Sequence, residues 1–137
     1  MREFELSILT PMGGGLSVSV QELYVRTVDG EVGLMAGHTD YLAGIVPCAA
    51  SYTDNAGKVR AAFCGGGFLS VIAGKATLAV DEFVFAEDLN AEAVKAERDA
   101  LTAELAACDA KKEPERAQYI KDALARVAAK AKAISER

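Results

Sequence analysis

The chain has no tryptophan, a single histidine, three cysteines and three prolines in 137 residues. Each shortage excludes something. His38 alone cannot build a histidine-based metal centre, and Cys48, Cys64 and Cys108 are odd in number and lack Cys-x-x-Cys spacing. Neither a zinc site nor a disulfide framework is therefore signalled, and no metal is expected. Cysteine used this way fits a reducing compartment. No apolar run reaches the roughly 18 residues of a membrane-spanning helix, so no direct membrane insertion is expected. Basic residues are outnumbered, with a net charge of −5. That argues against nucleic acid as a partner, because phosphate binding needs a basic face. Alternation begins directly after Met1-Arg2-Glu3, so no signal or transit peptide is expected.

What is present is unevenly placed. All twelve glycines and all five phenylalanines lie before Glu87, and the fifty residues after it hold fifteen alanines and no glycine. A switch from turn-rich strand composition to helix formers marks a domain boundary, with residues 1–86 on one side and 87–137 on the other.

The first part reads as short strands. Phe4, Leu6 and Ile8 alternate with polar neighbours until Thr10-Pro11 and Gly13-Gly14-Gly15 end the run. Leu16 to Val20 and Leu23 to Val28 are two further strands, the second closed by Asp29-Gly30. Ile45–Tyr52 with Val59–Phe63, and Phe68–Ile72 with Ala76–Val80, read as hairpins, and Phe83 and Phe85 complete the set. Many short strands at roughly 8–12-residue spacing predict an antiparallel sandwich or barrel.

The second part reads as a helical hairpin. Asn90 is a helix N-cap with Glu92 in the first turn. Val94, Leu101, Leu105 and Cys108 step by 7, 4 and 3, whereas Ile120, Leu124, Val127, Ala131 and Ile134 step by 4, 3, 4 and 3. The pattern breaks near Asp109, and Pro114 suits the first turn of a new helix. Two such seams joined by a short connection pack antiparallel. Residues 88–110 carry a net charge of −4 and residues 111–137 one of +4, which orients one helix against the other. The seams are rich in alanine, which buries little apolar area, so the hairpin is expected to undock and redock.

The chemistry-bearing patterns are few. Gly65-Gly66-Gly67 lacks the Gly-Lys-Ser/Thr ending of a phosphate loop and reads as a turn or bulge. Asp81 and Glu82, as successive strand residues, are expected to face opposite sides. No nucleophile, base and orienter recur together, so no catalytic residue and no cofactor is expected. The stretch Gly30 to Leu42, GEVGLMAGHTDYL, is the most specified, with three glycines in thirteen residues, an acid at the front and His38 near the end. It reads as a loop too irregular for a hairpin and therefore as a contact surface.

That stretch resembles the G-E-x-G-x-x-x-G-H segment of the epsilon subunit of F-type ATP synthases. The opening strand with Thr10-Pro11, the turn at Gly65-Gly66-Gly67-Phe68 and the Glu87-Asp88-Leu89-Asn90 junction resemble the same family in order and spacing. The resemblance implies an α+β fold, an N-terminal antiparallel β-sandwich of about ten short strands followed by a C-terminal antiparallel two-helix hairpin. It implies a non-catalytic rotor subunit of the central stalk, monomeric when isolated. The sandwich would bind the gamma subunit and the polar loops of the c-ring, and the helices would restrain ATP hydrolysis. Its location would be the cytoplasmic face of a bacterial inner membrane, as a peripheral part of the complex.

Carried over by residue, the c-ring contact falls on Gly30, Glu31, Val32 and Gly33, with His38 close by on the same loop. The family often has proline where this chain has Ala36 and Asp40, which makes the loop less rigid. The family's nucleotide motif, acid-x-x-Arg-Ala, is degraded at Asn90 and Ala93, so tight ATP binding is not expected. Lys111, Lys112, Arg116, Lys121, Arg126 and Lys130 would face acidic segments of the catalytic β subunits. The competing reading is a stand-alone β-sandwich adaptor whose helices form a homotypic interaction module.

Overall fold

A computed structural model of the chain describes residues 2–11, 13 and 15–136. Nine strands are followed by two helices: β1 (Phe4–Leu9), β2 (Leu16–Thr27), β3 (Gly30–Met35), β4 (Tyr41–Ile45), β5 (Cys48–Asp54), β6 (Val59–Cys64), β7 (Gly67–Ile72), β8 (Lys75–Val80), β9 (Phe83–Phe85), α1 (Ala91–Ala107) and α2 (Pro114–Glu136). The strand order is β1-β8-β7-β4-β2-β5-β6-β9, with β3 on β2 and a further pairing of β1 with β2. One layer of the sandwich is β1-β8-β7-β4 and the other is β3-β2-β5-β6-β9, and the long β2 serves both. The fold class is the α+β sandwich and hairpin expected.

Besides the strand expected over Ile45–Tyr52, whose Ile45 instead ends β4 while β5 begins at Cys48, three local expectations change. The two strands expected at Leu16–Val20 and Leu23–Val28 are one continuous strand of 12 residues, with the register shifting only against β5, between Val20 and Glu22. Local alternation breaks at the irregularity, whereas the ladder does not. The pairing of β1 with β8 is parallel, in contrast to the antiparallel pairings of their neighbours. Gly14, placed in the first turn by the sequence, lies outside the described residues.

The third change concerns the glycine-rich stretch. Gly30–Met35 is not an irregular loop but strand β3, paired residue by residue with β2 from Thr27↔Gly30 to Glu22↔Met35. A two-residue turn, Val28-Asp29, joins them. Buried Thr27 holds it, its hydroxyl donating to the Gly30 carbonyl at 2.9 Å and accepting from the Asp29 amide at 3.1 Å. Gly33 holds an outward-facing position of β3 without a side chain for a packing reason: a Cβ there would sit 2.7 Å from the Tyr24 ring across the pair.

The core lies between the layers and is built from the alternating apolar residues of all the longer strands, among them Leu6, Val20, Leu34, Leu69 and Leu78. A short 3-10 turn, Ala86–Asp88, leads out of the sandwich, and Asn90 caps α1, its Oδ1 accepting from the amides of Glu92 and Ala93. The hairpin is antiparallel. Ala91, Val94, Lys95 and Arg98 at the start of α1 border Ala131 and Ile134 near the end of α2. At the other end Arg116 pairs with Glu104 at 3.5 Å.

Candidate functional site

The seam residues differ in burial. Val94, Ile120 and Val127 are buried, while Leu101, Leu105, Leu124 and Ile134 are half-buried between the helices. Ala117, too small to signal a seam position in the sequence, is buried with them. The helix that packs on the sandwich is α2, against β5, β6 and the 3-10 turn, and α1 lies over α2.

The side that α2 turns to the sandwich is not legible as a face in the sequence. It consists of Arg126, Ala129, Lys130 and Ala133, two neighbouring i,i+4 rows (Arg126 with Lys130, Ala129 with Ala133) along one side of the helix. Ala133 is buried against Ala61 and Ala86, with Ala49 and Leu89 packed around them. Alanine against alanine lets helix and strands approach closely yet removes little apolar area from water, at roughly 25 cal/mol per Å². The alanine part of the contact is therefore shallow, and the larger apolar burial there is that of Phe63.

A charged clasp supplements it. The Arg126 guanidinium reaches Asp81 Oδ2 and Glu82 Oε1, each at 3.2 Å, and Lys130 reaches the same Glu82 oxygen at 3.7 Å. Both cations lie 5.2 Å from the ring centroid of Phe63, a fully buried residue of β6. Asp81 and Glu82 thus share one partner instead of pointing apart. They sit in the connection between β8 and β9, where the alternation that separates strand neighbours does not hold. Gly65 makes room for them, since a Cβ there would run into the Asp81 carboxylate.

The six basic residues expected to face another subunit are accordingly not one surface. Arg126 and Lys130 are engaged by the chain's own sandwich, and Arg116 by Glu104 and Glu113 within the hairpin. Lys111, Lys112 and Lys121 are exposed and, among the described residues, form no ion pair.

The glycine-rich stretch is divided in the same way. Glu31 and Val32 lie in the first half of β3, just past the β2–β3 turn, while His38 follows the far end of β3. The five steps from Gly30 to Met35 at ~3.3 Å each put about 16 Å between the two ends. Gly30 and Glu31 are therefore not adjacent to His38, whereas Gly33 is only two strand steps from Met35. His38 is exposed, with Nδ1 2.8 Å from the Thr39 carbonyl and its ring edge-on to Tyr41. Glu31 is exposed too, and it pairs with Lys132 of α2 at 4.0 Å. Between them a cleft of about 540 Å³ opens under the C-terminal half of α2, bordered by Arg26, Glu31, Cys48, Ala129 and Lys132. The docked hairpin thus reaches the start of β3 that carries Glu31.

Asn90 and Ala93 stand at the first turn of α1 as a cap and an exposed alanine. Ala93 supplies no cation for a polyphosphate. Among the described residues no group of three or more histidine, cysteine or acidic side chains converges in a way that could hold a metal ion. Among them, too, no helix is long and apolar enough to cross a membrane.

Residues 3–86 match the family described as ATP synthase, Delta/Epsilon chain, beta-sandwich domain. The ATP synthase epsilon chain of Desulfatibacillum aliphaticivorans is 32% identical over 87 residues, covering 64% of this chain and 62% of that one. The epsilon chain of Caldicellulosiruptor bescii is 35% identical over 92 residues, 66% of this chain and 65% of that one. The aligned part thus spans just under two thirds of these relatives. A chain of the Euglena gracilis mitochondrial ATP synthase OSCP/F1/c-ring structure superposes with a TM-score of 0.76 at 21% identity, over 93% of this chain and 80% of that one. A chain of the Tetrahymena thermophila central stalk/c-ring structure superposes with a TM-score of 0.54 at 14% identity, over 90% of this chain and 97% of that one. At such identities the superpositions speak for the fold. The family match covers more than half of the chain and falls on the sandwich itself: the chain belongs to the ATP synthase delta/epsilon family, as an epsilon chain.

Proposed function

We propose that this chain is a non-catalytic rotor subunit in the central stalk of a proton-translocating F-type ATP synthase, joining the gamma subunit to the c-ring. Its hairpin modulates ATP hydrolysis by moving between a docked and an undocked position. The observation that carries the regulatory half is the shallow alanine contact closed by the Arg126–Asp81–Glu82 clasp. A helix seated through alanines and part-exposed ion pairs, with Phe63 as its large apolar anchor, exchanges between positions more readily than one buried along its whole face.

The gamma contact is supported by the sandwich layer opposite the hairpin. On its outer face Phe68 is 63% exposed and Leu42 is 72% exposed, with small residues Gly44, Ser70 and Ala79 beside them and Leu9 at the far edge. An apolar stripe of this kind is uncovered only in the absence of a partner. The c-ring contact is supported by the exposed Glu31 beside the tight β2–β3 turn, where an acid can pair with a basic ring-loop residue. Lys111, Lys112 and Lys121 are the bases left free to meet the catalytic β subunits. The subunit would work on the cytoplasmic face of a bacterial inner membrane, as a peripheral member of the complex.

Two outcomes are expected. In a reconstituted enzyme, Glu31→Lys weakens proton pumping per ATP hydrolysed, because a like charge then faces the ring loop. Unchanged pumping with Glu31→Lys and with Gly33→Arg would remove this turn from the ring contact. In the isolated subunit, millimolar ATP leaves the thermal midpoint unmoved, since a ligand shifts stability only when it exceeds its Kd. A clear upward shift would show that Lys95 or Arg98 replaces the missing arginine.

A further inference from the structure

Cys48 and Cys64 are directly opposed on β5 and β6. Both are buried in the sandwich core, at 6% and 0% exposure, and both are free thiols. Opposed residues of an antiparallel pair share a face and have Cα atoms about 4.5–5.5 Å apart, inside the roughly 4.4–6.8 Å that a disulfide spans. Their surroundings differ. Cys48 borders the cleft of about 540 Å³ under α2, beside Arg26 and Lys132, and its sulfur accepts from the Arg26 amide at 3.5 Å. Cys64 sits behind it with no exposed surface. Hydrogen bonding with the Cys64 side chain pulls the Cys48 thiol down to about 7, with burial opposing and Arg26 and Lys132 assisting. The same hydrogen bond, then burial and the charge on Cys48, push Cys64 upward. A cysteine that borders the cleft with its thiol pulled down, and a second with no exposed surface directly across the ladder, divide the work of an attacking and a resolving cysteine.

We propose that Cys48 and Cys64 form a redox-modification site at which hydrogen peroxide converts the facing thiols into a disulfide between β5 and β6. The Cys48 thiolate attacks one peroxide oxygen. The O–O bond breaks, an S–O bond forms, and the released hydroxide takes a proton to leave as water. Cys64 then loses its proton and attacks the Cys48 sulfur, so that the S–O bond breaks, the S–S bond forms and the second oxygen leaves as water. Two thiols are oxidised and one peroxide is reduced to two waters. The product ties together the two strands on which α2 is seated, and it discharges the thiolate beside Lys132. This redox chemistry does not depend on the rotor role.

The test is peptide mapping of the intact subunit after peroxide treatment, with a Cys108→Ser chain treated in parallel to remove the half-buried third thiol. The expected result is the loss of two hydrogens, a linked Cys48–Cys64 peptide, reversal by a thiol reductant, and a thermal midpoint raised by about 5–10 °C. In Cys64→Ala, Cys48 should stop at the sulfenic acid and be trapped by dimedone. Two free alkylatable thiols after peroxide would overturn the proposal. So would Cys48 passing to the sulfinic acid while Cys64 stays reduced.

Discussion

Phe63→Ala should lower the stability of the subunit by about 3–5 kcal/mol, the largest loss expected from any single change at the hairpin contact. Among the described residues Phe63 is the largest fully buried side chain. It lies on the outer face of β6, beneath Arg126 and Lys130, not in the interior between the layers. Truncation removes the ring's burial and leaves a cavity that neighbouring alanines are too short to fill. It also withdraws the aromatic face from two cations, worth about 0.5–1 kcal/mol apiece at partly exposed sites. Chemical denaturation of the full chain should show the midpoint falling with the slope unchanged. A loss below about 1 kcal/mol would mean that the ring is not an anchor and that α2 reseats without it.

Asp81→Asn combined with Glu82→Gln should undock the hairpin without unfolding the sandwich. The amides keep the shape and remove the charge, and the basic residues of α2 remain intact. The clasp is part-exposed, with Arg126 at 32% and Lys130 at 19% side-chain exposure, so each ion pair is discounted for solvent screening. Three such part-exposed pairs, linked through Arg126 and Glu82, sum to about 1–2 kcal/mol, or roughly 5–30-fold in the ratio of docked to undocked chains. Amide hydrogen exchange should accelerate across α2 by that factor while β1, β7 and β8 are unaffected. The effect should also fade at high salt, as part-exposed pairs do. Equal protection of α2 in variant and parent would show that the clasp holds nothing.

The variant also separates two uses of the same basic residues. In the docked form Arg126 and Lys130 are committed to the sandwich, so they can serve a second partner only after leaving it. Releasing them from the sandwich side should therefore strengthen inhibition of hydrolysis, whereas Arg126→Glu should weaken docking and inhibition together.

Much of this architecture is legible in the order of the amino acids. The glycine-to-alanine switch at Glu87, the strand alternation and the two heptad seams all rest on local periodicity, which survives in one dimension. Asn90 and Pro114 are legible for the same reason, as each acts on its own turn. What escapes depends on pairing across distance. Gly30–Met35 looks irregular because Gly33 stands where an alternating strand would carry a side chain, and only the Tyr24 ring across the ladder explains it. The α2 face on the sandwich escapes because Ala129 and Ala133 give no hydrophobic signal and Arg126 and Lys130 resemble a solvated side. Asp81 and Glu82 mislead because they look like strand neighbours when they belong to a turn. The opposition of Cys48 and Cys64 is set by the β5–β6 register, which no cysteine spacing reveals.

The central claim is that the sandwich attaches this chain to the enzyme and the hairpin restrains it. The direct measurement is the ATPase rate of a catalytic head stripped of its own epsilon subunit, with the full chain or a version ending at Glu87 added back. The account predicts that both bind, that the full chain slows hydrolysis and that the shortened one does not. Binding of both without any slowing would contradict the regulatory role, and failure of the full chain to bind would contradict the assignment to the central stalk.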